Sequence, residues 1–150
     1  MSDNMIRLIP TDPTFVPDDS QARAVVALLA TIAPQADRID FVDEGTVVFV
    51  DAGENFESIS CGSCGADIDF DWWGEEMGAA SANDFSNLAT TAPCCGATTT
   101  LNDLVYSWPQ GFARWRVEVT NPGVGQLDSE TEQALSLALG HPIRLIYSHV

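Results

Sequence analysis

Lysine is absent from this chain of 150 residues, and the fixed positive charge is limited to six arginines against 22 aspartates and glutamates, a formal net charge of −16. Without lysine the chain cannot carry a Walker-type phosphate loop, a Schiff-base active site or a serine–lysine dyad. The negative balance also runs against nucleic acid as a partner, because phosphates require basic groups to neutralise them. Histidine is scarce as well. Neither His141 nor His149 has a serine or thiolate partner assignable from the sequence, so no catalytic residue is nominated. Long apolar runs are missing too: the longest, Ala24 to Ala33 and Leu135 to Leu139, fall far short of the roughly 20 residues that cross a bilayer. The opening residues show neither a basic leader nor an apolar stretch of signal-peptide length. We therefore expect a cytoplasmic protein without a membrane partner.

What is present is the material of a folded core. Hydrophobic residues make up 45% of the chain, with four Trp and seven Phe, well above the content of a disordered segment. The length fits one domain over residues 1–150. Met5 to Ile9 reads as a strand. A helix follows, with Asp18 as its cap, Gln21 completing a capping box, an apolar face of Val25, Val26, Leu28, Leu29 and Ile32, and Pro34 as its stop. Arg38 to Val42 and Thr46 to Val50 read as two strands of a hairpin turning at Asp43-Glu44-Gly45. Trp115 to Val119 alternates as a strand and Asn121-Pro122-Gly123 turns the chain. Ser129 and Glu132 supply a capping box for a second helix, Gly140 closes it, and Ile143 to Tyr147 is a last strand. This order predicts an α+β fold, a ferredoxin-like split β-α-β sandwich. Residues 59–106 follow neither flank's periodicity and read as an inserted module.

All four cysteines lie in that insert. Cys61-Gly62-Ser63-Cys64-Gly65 is a C-x-x-C-G knuckle in which two thiolates three apart converge on one ion and the glycine permits a tight turn. The second half is Pro93-Cys94-Cys95-Gly96. The 29 residues between Cys64 and Cys94 exceed the usual ribbon spacing of about 15 to 20 but accommodate a helix. The region resembles a zinc ribbon, with Ile59 and Ser60 entering the first knuckle and Thr98 to Leu101 leaving the second. It departs from the ribbon pattern in its adjacent second pair, which makes three cysteines plus Asp103 or a histidine the competing ligand set. In a reducing compartment such cysteines are metal ligands or redox thiols before they are disulfides. A redox C-x-x-C opens a helix, which Gly65-Ala66-Asp67 does not resemble. Ligands alone do not separate zinc from an iron–sulfur cluster. The expected site is Cys61, Cys64, Cys94 and Cys95 holding a structural Zn2+, since four thiolates leave no position for water or substrate.

Between Ile39 and Ala113 there are thirteen acids and no base. Asp67, Asp69 and Asp71 alternate with Ile68, Phe70 and Trp72, which on a strand places three carboxylates on one face. The run is not an EF-hand, because Trp72 and Gly78 stand where glycine and glutamate are required. A solvated face is the ordinary role of such acids, and a site for a divalent ion or a basic partner is the functional one. Trp72, Trp73, Met77, Phe85 and Leu88 read as one side of a helical segment packing the insert onto the sheet.

The succession C-G-x-C-G, a Trp-containing stretch, P-C-C-G, L-N-D-L-x-Y and W-P-x-G-F-A-R, from Cys61 to Arg114, resembles an uncharacterised family of small bacterial proteins with a zinc-ribbon-like insert. The resemblance implies a bacterial cytosolic protein and carries no activity across. The residues themselves favour a non-catalytic, zinc-stabilised acidic protein, interaction or regulatory in role and immunity-type in one version, that binds a basic protein. The alternative is a small metal-dependent enzyme using Asp67, Asp69 or Asp103.

Overall fold

The computed structural model describes residues 3–150. Along the chain run β1 (Asn4–Pro10), α1 (Asp19–Ile32), β2 (Arg38–Val50), β3 (Ser58–Ser60), α2 (Phe70–Ser81), β4 (Ala89–Thr91), β5 (Thr98–Thr100), a 3-10 turn (Leu101–Asp103), β6 (Val105–Ser107), β7 (Gly111–Thr120), α3 (Ser129–Leu139) and β8 (Ile143–His149). The architecture is α+β. Four strands form an antiparallel sheet in the order β2-β7-β1-β8, and β3-β6 and β4-β5 are separate two-stranded pairs.

Period-two alternation gives each long strand one apolar face. Ile6 and Leu8, Trp115, Val117 and Val119, and Leu145 pack beneath Val25 and Leu29 of α1 and Leu135 and Leu139 of α3, all buried. Asp18 caps α1 reciprocally with Gln21: the Gln21 N–H reaches Asp18 Oδ1 at 2.8 Å and the Asp18 N–H reaches Gln21 Oε1 at 2.9 Å. On α3 the cap is Asp128 rather than Ser129, with the Thr131 N–H 2.8 Å from Asp128 Oδ1. A carboxylate accepts this bond more strongly than a hydroxyl and also meets the positive end of the helix dipole. Among the described residues no helix is long and apolar enough to cross a membrane.

Two further expectations are corrected. The hairpin at Asp43-Glu44-Gly45 is a bulge inside one strand: β2 pairs with β7 on both sides of it, Asp43 opposite Trp115 and Val48 opposite Ala113, so residues 44–47 face Arg114 alone. Gly45 keeps the left-handed φ of 77° and its N–H is bound by Asp43 Oδ1, so the local turn chemistry is satisfied. The chain does not reverse, because β7 is long enough to pair with both halves. Arg114 holds the bulge with a two-point bond to the Asp43 carboxylate at 2.7 and 3.0 Å. The second correction concerns Asp67, Asp69 and Asp71, which do not share a strand face. Asp67 makes an isolated bridge to Ser60, Asp69 is the N-cap of α2 and Asp71 lies in its first turn. Acids are favoured at all such N-terminal helix positions, so period-two alternation here coincides with a helix start.

Beyond β2 the chain crosses the sheet to β8, where Gly53 bridges His149. The insert then builds its own core of Ile59, Ile68, Leu101, Leu104 and Tyr106, with Trp72, Trp73 and Met77 of α2 packed against it. Phe85 and Leu88 pack there too, but from the chain after the helix and not from the helical segment expected, because α2 ends at Ser81 and Phe85 takes a left-handed φ of 55°. Phe49 and Phe112, opposite one another in the β2-β7 ladder with ring centroids 5.1 Å apart, carry this core on the sheet. Phe85 lies tilted against Phe112 with ring centroids 5.3 Å apart, and Trp73 meets Phe49 edge-on at 5.9 Å.

Candidate metal centre

Each half of the cysteine cluster is a six-residue loop, and the two loops close with the same backbone bonds. In the first, the Cys61 N–H reaches the Ala66 carbonyl and the Gly65 N–H reaches the Cys61 carbonyl, both at 2.9 Å. In the second, the Ala92 N–H reaches the Ala97 carbonyl and the Gly96 N–H reaches the Ala92 carbonyl, again at 2.9 Å. Gly65 and Gly96 occupy the fifth position with φ of 77° and 74°, a conformation other residues adopt only at a cost. Residue by residue, Cys61 therefore corresponds to Ala92 and Cys64 to Cys95, while Cys94 corresponds to Ser63. The second knuckle has its ligands at positions three and four, where the first has them at one and four. This equivalence is invisible in the spacing and explains how adjacent cysteines serve one centre.

The loops are brought together by their strands. β3 leads into the first and is held by β6, and β4 and β5 flank the second. The four Sγ atoms all lie within 4.8 Å of one another, with Cys61 to Cys95 at 3.8 Å and Cys64 to Cys94 at 3.3 Å. None is in a disulfide. A tetrahedral ion with metal–sulfur bonds of about 2.3 Å needs sulfur–sulfur edges of about 3.8 Å, so the thiols fit a single ion once the Cys64–Cys94 pair opens by about 0.5 Å and the widest separation closes by up to about 1 Å. Cys61 is buried in the aromatic core and the other three are exposed, so the centre is anchored on one side and open to solvent on the other.

Charge argues for a cation. The backbone N–H groups of Cys64 and Ser63 point at Cys61 Sγ and lower its pKa to about 6. Its neighbours respond oppositely: the contact with Cys64, together with desolvation and the nearby Cys61, pushes Cys94 up to about 12. Cys95 is held above the ordinary thiol range even though the Ala97 N–H favours its thiolate, because burial and the contacts with Cys61 and Cys64 outweigh that bond. Four thiolates this close cannot coexist without a positive charge among them, and no arginine or histidine acts on Cys61, Cys94 or Cys95 to supply one. A metal ion binding here displaces protons, so its affinity falls as pH falls.

The competing ligands are elsewhere. The Asp103 carboxylate accepts from the Thr100 hydroxyl at 2.8 Å. His141 stacks on Phe15, and His149 lies beside Asn4 and Glu54. Among the described residues the cysteine cluster is the one group of three or more ligating side chains that converge, so Asp67, Asp69, Asp71 and Asp103 do not assemble a carboxylate site. The chain matches no protein-family model, no curated protein and no solved structure at a significant level.

The knuckle equivalence carries a prediction. Cys94→Ser is expected to lose the metal, and adding Ala92→Cys to it is expected to restore one ion per chain by returning the ligand to position one. Metal analysis of the purified variants checks this, and a double variant as empty as the single one would refute the equivalence.

Proposed function

We propose that the protein is a non-catalytic interaction protein in which a zinc-stapled insert presents an acidic surface to a basic protein. The observation that carries this reading is the cysteine centre: four thiols converging on one ion leave it no open coordination position, so the ion acts in folding and not in chemistry. Zinc is favoured over an iron–sulfur cluster because a cluster spreads its thiolates over several irons, whereas these sulfurs are spaced for one ion. X-ray absorption on protein expressed with zinc present is expected to give zinc–sulfur scattering near about 2.3 Å, and its absence would remove the assignment.

The frame is read as ferredoxin-like on its two β-α-β halves and its strand order, and the insert as zinc-ribbon-like on its paired knuckles. The motif succession from Cys61 to Arg114 remains the ground for grouping the chain with the uncharacterised bacterial family, and hence for a cytoplasmic setting.

The acids around the centre are the recognition surface. Asp67, Asp69 and Asp71 are all exposed beside the first knuckle, and Glu75 follows on the outer side of α2. A field of this kind decays over about 8 Å at physiological salt, so it accelerates and orients a basic partner at close approach. For a partner captured from the source cell, the association rate is expected to fall as salt rises, with a shallower slope for the triple variant Asp67→Asn, Asp69→Asn, Asp71→Asn. Asparagine also caps helices, so α2 keeps its start. Stopped-flow rates across a salt series make the measurement. A slope unchanged by the substitutions would mean that these acids only solvate the surface.

A further inference from the structure

A cleft away from the insert shares no residue with the cysteine centre or the acidic insert surface. It lies over the ends of β1 and β8, encloses about 570 Å³ and is roofed by the 121–126 loop and Trp108. That volume falls within the roughly 300 to 1,000 Å³ of small-ligand sites. Its lining is unusual for this chain. In a protein with 28 charged side chains, none of the residues lining it is an aspartate, glutamate or arginine. No lining side chain offers a charged ligand a counter-ion, and the net charge of the protein further disfavours an anion.

The lining supplies neutral hydrogen-bonding groups with capacity to spare. Asn55 donates Nδ2 to the Tyr147 carbonyl at 3.0 Å and keeps Oδ1 free. Asn4 accepts from the His149 ring at 2.8 Å through Oδ1 and keeps both Nδ2 protons. The Tyr147 hydroxyl accepts the Leu127 N–H at 2.9 Å and keeps its own proton. Among the described residues neither Trp108 Nε1 nor the Gln126 amide has a partner. Free donors and acceptors together with an indole suit a ligand whose every polar group both donates and accepts and whose carbon skeleton offers an apolar face.

The backbone adds a second observation. Trp108 and Asn121 have φ of 43° and 48°, two of the four non-glycine residues with positive φ among the described residues, and both line this cleft. For asparagine the conformation is common, and here its side chain accepts the Asn4 N–H and bonds Asp3 and Asp37. For tryptophan it is costly, and such strain collects at binding sites, where the surrounding structure holds a side chain in place.

We propose that this cleft is a binding site for a neutral sugar, with Trp108 against the carbon face of the ring and Asn4, Asn55, Gln126 and Tyr147 bonding its hydroxyls. The test is nitrogen–proton NMR of the full chain, following the Trp108 indole and the Asn55 and Gln126 side-chain amides. The probes are glucose, galactose, mannose, N-acetylglucosamine and their disaccharides, with glucuronate and glucosamine as charged counterparts and uracil as a neutral planar amide. Saturable shifts of these three signals by at least one neutral saccharide are expected, with affinity reduced tenfold or more by Trp108→Ala and by Gln126→Ala. Gln126 is exposed, so its variant tests binding without disturbing the fold. The proposal is overturned if no neutral saccharide shifts the signals, if uracil or the charged sugars bind as well or better, or if the Gln126 variant binds undiminished.

Discussion

Removing the metal, by chelation or by Cys64→Ser, is expected to open the insert from Ile59 to Tyr106 while the four-stranded sheet and its two helices stay folded. Structural zinc contributes on the order of 10 to 16 kcal/mol in small peptides, as much as the roughly 5 to 15 kcal/mol stability of a whole domain, so its loss exceeds what the insert can absorb. Beside the insert's own core little else holds the two knuckles to each other: β3, β4, β5 and β6 are three-residue strands, and three of the four cysteines are exposed. The flanks do not depend on it. The core formed by Leu8, Val25, Leu29, Val117 and Leu135 contains no residue of the insert, and its helix is capped by its own Asp18 and Gln21. Hydrogen exchange reads the two regions separately, with protection expected to vanish across 59–106 and to persist in β1, β7 and α1. Simultaneous loss in both would show the metal to be integral to a single core.

Phe112→Ala is expected to cost about 3 to 5 kcal/mol, the range for truncating a buried aromatic. The side chain is fully buried, with Phe49 and Phe85 rings against it, and it belongs to β7 while packing the insert's core. The cavity would therefore open at the joint between sheet and insert. The backbone N–H of the same residue is bound by buried Asn102 Oδ1 at 3.0 Å, and Asn102 in turn donates to the Thr11 carbonyl and accepts from Arg144, so the joint is fixed by polar bonds as well. These bonds survive the substitution, which confines the effect to packing. Chemical denaturation measures it, with Leu137→Ala as the control. Leu137 is 78% exposed, so its truncation should stay within about 0.5 kcal/mol. A Phe112 variant as stable as this control would mean that insert and sheet merely touch.

The parts of this protein that the amino-acid order determines are those whose physics is local. Asp18 and Gln21 lie within one turn of each other and satisfy each other's backbone, so the start of α1 is written in four residues. The alternation in Trp115 to Val119 needs only the strand period, and C-x-x-C-G needs only one turn of chain to aim two thiols at one point. What tertiary structure decided are the cases in which a local preference had two outlets. Asp43-Glu44-Gly45 has the chemistry of a hairpin turn, yet β7 offers partners to both flanking runs and Arg114 binds Asp43, so the same residues become a bulge. Asp67 to Trp72 alternates like a strand, but acids at a cap and first turn are equally favourable. Burying Trp72, Trp73 and Met77 on the Phe49–Phe112 platform needs a helix there. The matching of Cys94 to Ser63 rests on backbone bonds that no spacing reveals. The neutral cleft joins residues from Asn4 to Ser148, a separation over which sequence pattern carries no information, because only the packing of distant strands and loops brings such side chains to one wall.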